Sequence, residues 1–209
     1  MCLIVFSVKQ HPAFPLVVAA NRDEFFRRPT AAMDWWHKAL ADNSDALAAR
    51  LQTRKSDYSG FNLVRLDEYA GWYYSNRDAH PGRHVHRGTY GLSNHLLQTP
   101  WPKLLRLRNS VTDLLEGASA DRTDDLHHDL IERLQDTTPA PDHELPDTGI
   151  GKDTERFLSS PFIIGSDYGT RATTVVTVSA VGEVRVTEQC WGPEGKKEGT
   201  RHFCWQRSA

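Results

Sequence analysis

Two apolar runs at the start of the chain constrain its fold more than any other feature. Residues 2–8 read Cys-Leu-Ile-Val-Phe-Ser-Val and residues 14–20 read Phe-Pro-Leu-Val-Val-Ala-Ala. Both are rich in β-branched and aromatic residues and too short for buried helices, so they predict strands. Gln10-His11-Pro12-Ala13 breaks the chain between them, which predicts a hairpin. Asn21-Arg22-Asp23-Glu24 follows the second run with no spacer. Charged residues are seldom fully buried unless paired. This segment is therefore either a solvated turn at the strand end or part of a functional centre.

The rest of the chain continues the pattern of strands, then helices, then strands. A weak helix is expected over 39–54, with Leu40, Leu47 and Leu51 on one side. Strands are expected over 61–66 and 71–75, with a further short strand within 84–93. Pro102 suits the first turn of a helix, and Leu104, Leu107, Val111, Leu114 and Leu115 follow at helical spacing. A second helix over about 121–136 carries Leu126, Leu130, Ile131 and Leu134 on one face. Residues 137–153, rich in Pro, Asp and Thr, predict a loop. Strands are expected again at 161–165, 172–180, 183–190 and near 202–205. This order predicts an α+β fold with largely antiparallel sheets, not a βαβ array.

At 209 residues the chain is long enough for a real core and fits one domain. The formal net charge of -2 gives no reason to expect a nucleic-acid partner. No apolar stretch approaches the roughly 18 residues needed to span a bilayer, so no transmembrane segment is expected. The start of the chain lacks the basic lead and apolar length of an export signal, which predicts a cytoplasmic protein. Neither a G-x-G-x-x-G after a strand nor a P-loop is present, so nucleotide binding has no support. Three cysteines, Cys2, Cys190 and Cys204, do not make a disulfide framework, and free thiols are expected.

Cys2 has two readings. At the head of an apolar strand it can be a small core hydrophobe. If Met1 is removed, it instead carries a thiol and a free α-amine on neighbouring atoms. The amine, with an ordinary pKa of about 7.7–8.0, can then take the thiol proton without a histidine. Arg22 would favour the thiolate, and Asp23 would hold the α-ammonium group. Other groupings are plainer. His84 and His86 share a strand face with His80 nearby, but no acidic or thiol ligand joins them at metal spacing, and a solvated loop is expected. His127-His128 is expected at a helix surface. Asp121, Asp124 and Asp125 suit a helix N-terminus. Trp35 and Trp36 could line an apolar cleft or cover a gap in the core.

Met-Cys-Leu-Ile at the start, Val-Ala-Ala-Asn-Arg-Asp-Glu-Phe at 18–25 and Arg28-Pro29-Thr30 strongly resemble the NRDE family, also called the transport and Golgi organisation protein 2 family. The likeness continues in Gly60-Phe61-Asn62-Leu63, Tyr74-Ser75-Asn76-Arg77 and Tyr90-Gly91-Leu92-Ser93-Asn94. It extends through Thr99-Pro100-Trp101-Pro102-Lys103 and Asp167-Tyr168-Gly169-Thr170-Arg171. The resemblance implies an N-terminal-nucleophile hydrolase-like αββα sandwich. It implies that Cys2, Arg22, Asp23, Asn94 and Arg171 form the catalytic set, with Asn94 for an oxyanion and Arg171 beside the nucleophile. Asn21, Glu24, Trp35 and Trp36 are the expected ligand-binding residues. Family members usually carry a longer stretch after the Pro-Thr block, so this single domain is expected to be shortened between about 31 and 57 and to lack part of the central strands. An exposed sheet edge would follow, and with it a possible homo-oligomer.

The function implied is ligand handling, with haem or an acyl-coenzyme A or lipid as cargo. No resident cofactor or metal is required. The rival expectation is a cysteine amidohydrolase acting on an amide or thioester. A role in secretory-pathway organisation, implied by the family name alone, ranks last.

Overall fold

The computed structural model describes residues 2–33, 44–66, 71–80 and 82–207. Strands β1 (Cys2–Val8) and β2 (Leu16–Phe25) form the expected hairpin, pairing Cys2 with Arg22 and Val8 with Leu16. They lie inside a six-stranded antiparallel sheet of order β6-β1-β2-β7-β8-β9. The other members are β6 (Gly88–Leu92), β7 (Tyr168–Val178), β8 (Glu183–Trp191) and β9 (Lys197–Gln206). Strands β3 (Asn62–Leu66), β4 (Gly71–Ser75) and β5 (Arg83–Val85) make a separate three-stranded antiparallel sheet.

Period-two alternation sorts the strand side chains into layers. Leu3, Val5, Val17, Ala19 and Val175 face helices α2 (Pro102–Glu116) and α3 (Thr123–Leu134), meeting Leu104, Leu107, Val111, Leu126 and Leu130. On the opposite face, Phe6, Val8, Leu16 and Val186 pack with Tyr73 and Val85 of the small sheet. Trp72 and Tyr74, which flank Tyr73 on β4, turn the other way and meet Leu47 of helix α1 (Ser44–Thr53). The layers thus run helix pair, large sheet, small sheet, helix. The fold is α+β with antiparallel sheets.

Several local expectations change. Strand β2 does not stop at Ala20 but runs on to Phe25, so Asn21-Arg22-Asp23-Glu24 lies within the sheet. The region 84–93 divides between β5 and β6, which belong to different sheets. No strand forms at 161–165. Phe162 N–H donates to the Asp136 carbonyl and Ile163 N–H to Thr170 Oγ1, so these amides are bonded outside any ladder. A short helix α4 (Lys152–Phe157) begins within the expected loop. Strand β9 is longer than the 202–205 segment suggested. His127 is buried, not on the surface, because both its ring nitrogens are bonded beneath α3, to Thr187 Oγ1 and Thr177 Oγ1 at 2.9 Å each. Trp35 and Trp36 lie outside the described residues, as does the start of the expected 39–54 helix. Among the described residues, no helix is long and apolar enough to cross a membrane.

Candidate functional site

The register of three strands builds the region around Cys2. β1 pairs with β6 on one side and β2 on the other, which sets Cys2 opposite Arg22 and brings the end of β6 alongside. Just past β6, Asn94 Oδ1 accepts the Cys2 backbone N–H at 3.0 Å. Ser93 Oγ donates to the Cys2 carbonyl at 3.1 Å. The Cys2 peptide groups are therefore held on both sides while the residue stays exposed. With Oδ1 engaged, Asn94 has its amide NH2 left as the donor for a ligand.

Asn21 and Asp23, two residues apart on β2, share the helix-facing side of the sheet, and both are buried. Between β2 and β7 the register shifts: Arg22 pairs with Ala172 and Asp23 with Thr170, so Arg171 is an extra residue. This bulge puts Thr173 and Thr170 on one face, although they lie three positions apart, an odd offset that in a regular strand would put them on opposite faces. Thr173 Oγ1 donates to Asn21 Oδ1 at 2.7 Å, and Thr170 Oγ1 donates to Asp23 Oδ1 at 2.8 Å. Asn21 Nδ2 also donates to the carbonyls of Leu134 and Pro161. Asn21 thus ties the end of α3 and the 161 loop to the sheet, and these bonds occupy its amide.

Asp23 is 4% exposed. Burial raises its carboxyl to about 6, against the opposing pull of the Thr170 hydrogen bond and the nearby Lys103 charge. Lys103, in the first turn of α2, is 3% exposed and donates to the Leu158 carbonyl at 2.6 Å. Burial lowers its ammonium to about 8, while Asp23, Cys2 and Glu155 pull the other way. Tyr168 of β7 is half-buried. Its hydroxyl is pushed up by burial and by the charges of Asp23, Cys2 and Glu24.

The remaining expected residues take other places. Arg22 is exposed, donates to Thr30 Oγ1 at 3.1 Å and lies 3.9 Å from Glu24. Glu24 accepts the Phe25 N–H and the Arg28 guanidinium, both at 2.9 Å, and these hold its carboxyl below the usual range, the Phe25 bond foremost. Arg171 reaches the carbonyls of Phe25 and Arg28 and lies over the Phe26 ring at 4.9 Å. Arg22, Glu24 and Arg171 therefore brace the turn after β2. Cys2 is held by Asn94 and Ser93, and Asp23 by Thr170, with the charges of Asp23 and Cys2 acting on Tyr168 and Lys103; the sequence pattern did not mark Ser93, Thr170, Tyr168 or Lys103 as site residues. The signal was present: all but Asp23 and Cys2 fall in the blocks Tyr90–Asn94, Thr99–Lys103 and Asp167–Arg171.

A concavity of about 1040 Å³ lies elsewhere, between α3 and the β8–β9 edge, and is lined in part by His127, Gln189, Trp191 and His202. Among the described residues, no three His, Cys, Asp or Glu side chains are grouped to hold a metal ion.

This geometry, a strand-borne cysteine held by the residues after β6 and backed by an aspartate in a bulged strand pair, accompanies a family match along most of the chain. The profile of the family Transport and Golgi organisation 2 matches residues 1–50 and 38–193, and the chain belongs to that family. The chain is 30% identical to the Transport and Golgi organization protein 2 homolog of Bos taurus, with 90% of this chain and 92% of the relative covered. It is 27% identical to the homolog of Homo sapiens and 26% to that of Mus musculus, with the same coverage. The Bos taurus alignment spans 259 residues, more than the 209 of this chain, so that relative carries segments with no counterpart here.

Proposed function

We propose that this protein handles a small ligand at Cys2, with haem or an acyl-coenzyme A or lipid as cargo, in a trafficking or chaperone-like role in the cytoplasm. One observation carries the reading: Cys2 is exposed while its backbone is fixed by Asn94 and Ser93. A thiol presented in this way suits a haem iron or the carbonyl of a thioester. The flanking arginines are engaged with Thr30 and with the Phe25 and Arg28 carbonyls, which favours holding a ligand over driving a full acyl-transfer cycle. Titration of the purified protein with haem, read by the Soret band, tests this, alongside thermal shift with acyl-coenzyme A. Cys2→Ser should weaken the response. No Soret change at micromolar haem and no thermal shift would sink the proposal.

A cysteine amidohydrolase is the second reading, and Asn94 with Asp23 supports it. The layer order agrees with an N-terminal-nucleophile hydrolase-like fold. In this reading the Cys2 thiol attacks an amide or thioester carbonyl while the Asn94 amide donates to the oxyanion; the α-amine takes the thiol proton and gives it to the departing amine or thiolate as the C–N or C–S bond breaks, and water then hydrolyses the acyl-cysteine. Such a donor is often worth about 3 kcal/mol. Intact-mass measurement decides it: retained Met1, or no acyl adduct with an activated ester, removes it. A role in transport and Golgi organisation rests on the relatives' names alone.

A further inference from the structure

Asn62 is the polar exception on a face that is otherwise apolar. On β3 it shares the side facing the large sheet with Val64 and Leu66, which pack into the core there. Across the β3–β4 pair it lies diagonal to Tyr73, which is buried in the same core. The Tyr73 hydroxyl donates to Asn62 Oδ1 at 2.8 Å and accepts the Leu97 N–H at 3.2 Å. With its oxygen so engaged, Asn62 has Nδ2 as its donor, and this bonds the His95 carbonyl at 3.0 Å. Two side chains of the small sheet thus grip the segment that follows β6, at His95 and at Leu97. Gln98 closes that segment back on β6. Its N–H donates to the Gly91 carbonyl at 2.8 Å, and its Oε1 accepts the Gly91 N–H at 2.7 Å. Gln98 has a φ of 66° here, in the left-handed region that non-glycine residues seldom occupy. Just before His95 stand Ser93 and Asn94, the residues that hold the two backbone groups of Cys2. A polar network whose members bond one another fixes geometry more narrowly than apolar packing does.

We propose that Asn62 is a positioning residue of the Cys2 centre: by holding the His95 carbonyl it fixes the adjoining Asn94, so that the Asn94 amide stays aimed at a carbonyl bound at Cys2. The proposal rests on the reading that Cys2 is the functional thiol and that its ligand presents a carbonyl. Asn94 is exposed and lies in an irregular segment. An exposed amide of this kind loses its aim when the backbone beside it moves. A displacement of about 1 Å is enough to cost roughly a hundredfold in rate, so such a donor needs support from rigid elements. Strands β3 and β4 supply that support through a continuous chain of bonds: Tyr73 to Asn62, Asn62 to His95, and the neighbouring Asn94 to Cys2.

Two measurements on the full chain test this. The first is the NMR relaxation order parameter of the Asn94 side-chain amide. The Asn21 amide, bonded to the Leu134 and Pro161 carbonyls, is the reference. Asn62→Ala should lower the Asn94 value from the rigid range to below about 0.6 and leave that of Asn21 in place. The second compares two reagents at Cys2 by peptide mass spectrometry. p-Nitrophenyl acetate acylates a thiol through a tetrahedral oxyanion: the C–S bond forms, p-nitrophenolate leaves and the thiol proton passes to the buffer. Iodoacetamide alkylates by direct displacement of iodide, with no oxyanion. Asn62→Ala should slow acylation by about tenfold and leave alkylation unchanged. Tyr73→Phe, which keeps the ring packing and removes the hydroxyl, should act in the same direction and serves if Asn62→Ala does not fold. An Asn94 amide already mobile in the wild type overturns the proposal, as does one unmoved in a folded variant, an equal fall at Asn21, or equal slowing of the two reagents. If wild-type Cys2 is not acylated at all, the amidohydrolase reading fails, while the order parameter still decides the role of Asn62.

Discussion

Thr170 Oγ1 donates to Asp23 Oδ1 at 2.8 Å across a strand pair in which Arg171 is the extra residue. The same hydroxyl accepts the Ile163 N–H at 3.0 Å, so a single oxygen joins β2, β7 and the 161 loop. Without the bulge, Thr170 would face the opposite side of the sheet from Thr173 and could not reach the carboxylate.

Thr170→Val should remove both bonds at nearly constant volume. We expect a loss of about 2 kcal/mol, as for a hydrogen bond to a charged acceptor, and a further rise in the Asp23 carboxyl, since the Thr170 bond holds it down. Urea unfolding at pH 7 and a carboxyl NMR titration measure the two effects.

Asp23 and Lys103 should make stability depend on pH in a characteristic way. The folded Asp23 carboxyl lies at about 6, above its ordinary 3.8, so the folded chain binds that proton more tightly and stability falls as pH rises between these values. Folded Lys103 lies at about 8, below its ordinary 10.5, so stability recovers as pH rises from about 8 to 10.5. Their joint contribution is least favourable between about 6 and 8. Asp23→Asn should cost about 1–3 kcal/mol at pH 7 by removing one of the anionic groups that favour the Lys103 ammonium, and adding Lys103→Met should restore most of it. A double-mutant cycle in urea measures this; additive losses would refute the coupling.

His127 predicts an acid-side loss. Burial holds its imidazole down to about 4, against 6.5 ordinarily. Between those values the unfolded chain binds the proton and the folded chain does not. Stability from this group is therefore present above 6.5 and lost as pH falls towards 4, by about 3 kcal/mol. His127→Gln should flatten that part of the profile relative to wild type in matched denaturation series.

Gly91 marks a close approach of β6 to α2. A Cβ there would lie 2.4 Å from Leu104 Cδ2 and 2.7 Å from its Cγ, and Leu104 is fully buried. Gly91→Ala should therefore cost about 1–3 kcal/mol, read as a lowered Tm. Leu104→Ala in the same chain should relieve part of the clash, giving a combined loss smaller than the sum of the two.

Periodicity alone revealed the β1–β2 hairpin, the two amphipathic helices and the β7–β8 pair, because each buries one face and so carries its period in the chain. It could not give the end of β2. Charged residues in a run ordinarily mean exposure, and only partners distant in sequence, Thr170, Thr173, Leu134 and Pro161, allow Asn21 and Asp23 to stay in the sheet. The irregular 161–165 segment was hidden for a similar reason, since its backbone bonds go to Asp136 and Thr170, and α4 was hidden because six residues are too few to show a helical period.

Cys2 and the Asn21–Arg22 end of the second strand were legible as neighbours, because strand pairing brings the two ends of a hairpin together. What the sequence by itself determined was that Cys2 and the Asn21–Glu24 segment lie on adjacent strands. Which of the neighbouring cations is buried was decided only by the tertiary structure. The bulge at Arg171 phases Thr170 toward Asp23, and the packing of α2 against the sheet buries Lys103 beside that carboxylate. Arg22, nearer in sequence, is left in solvent, where its charge is screened.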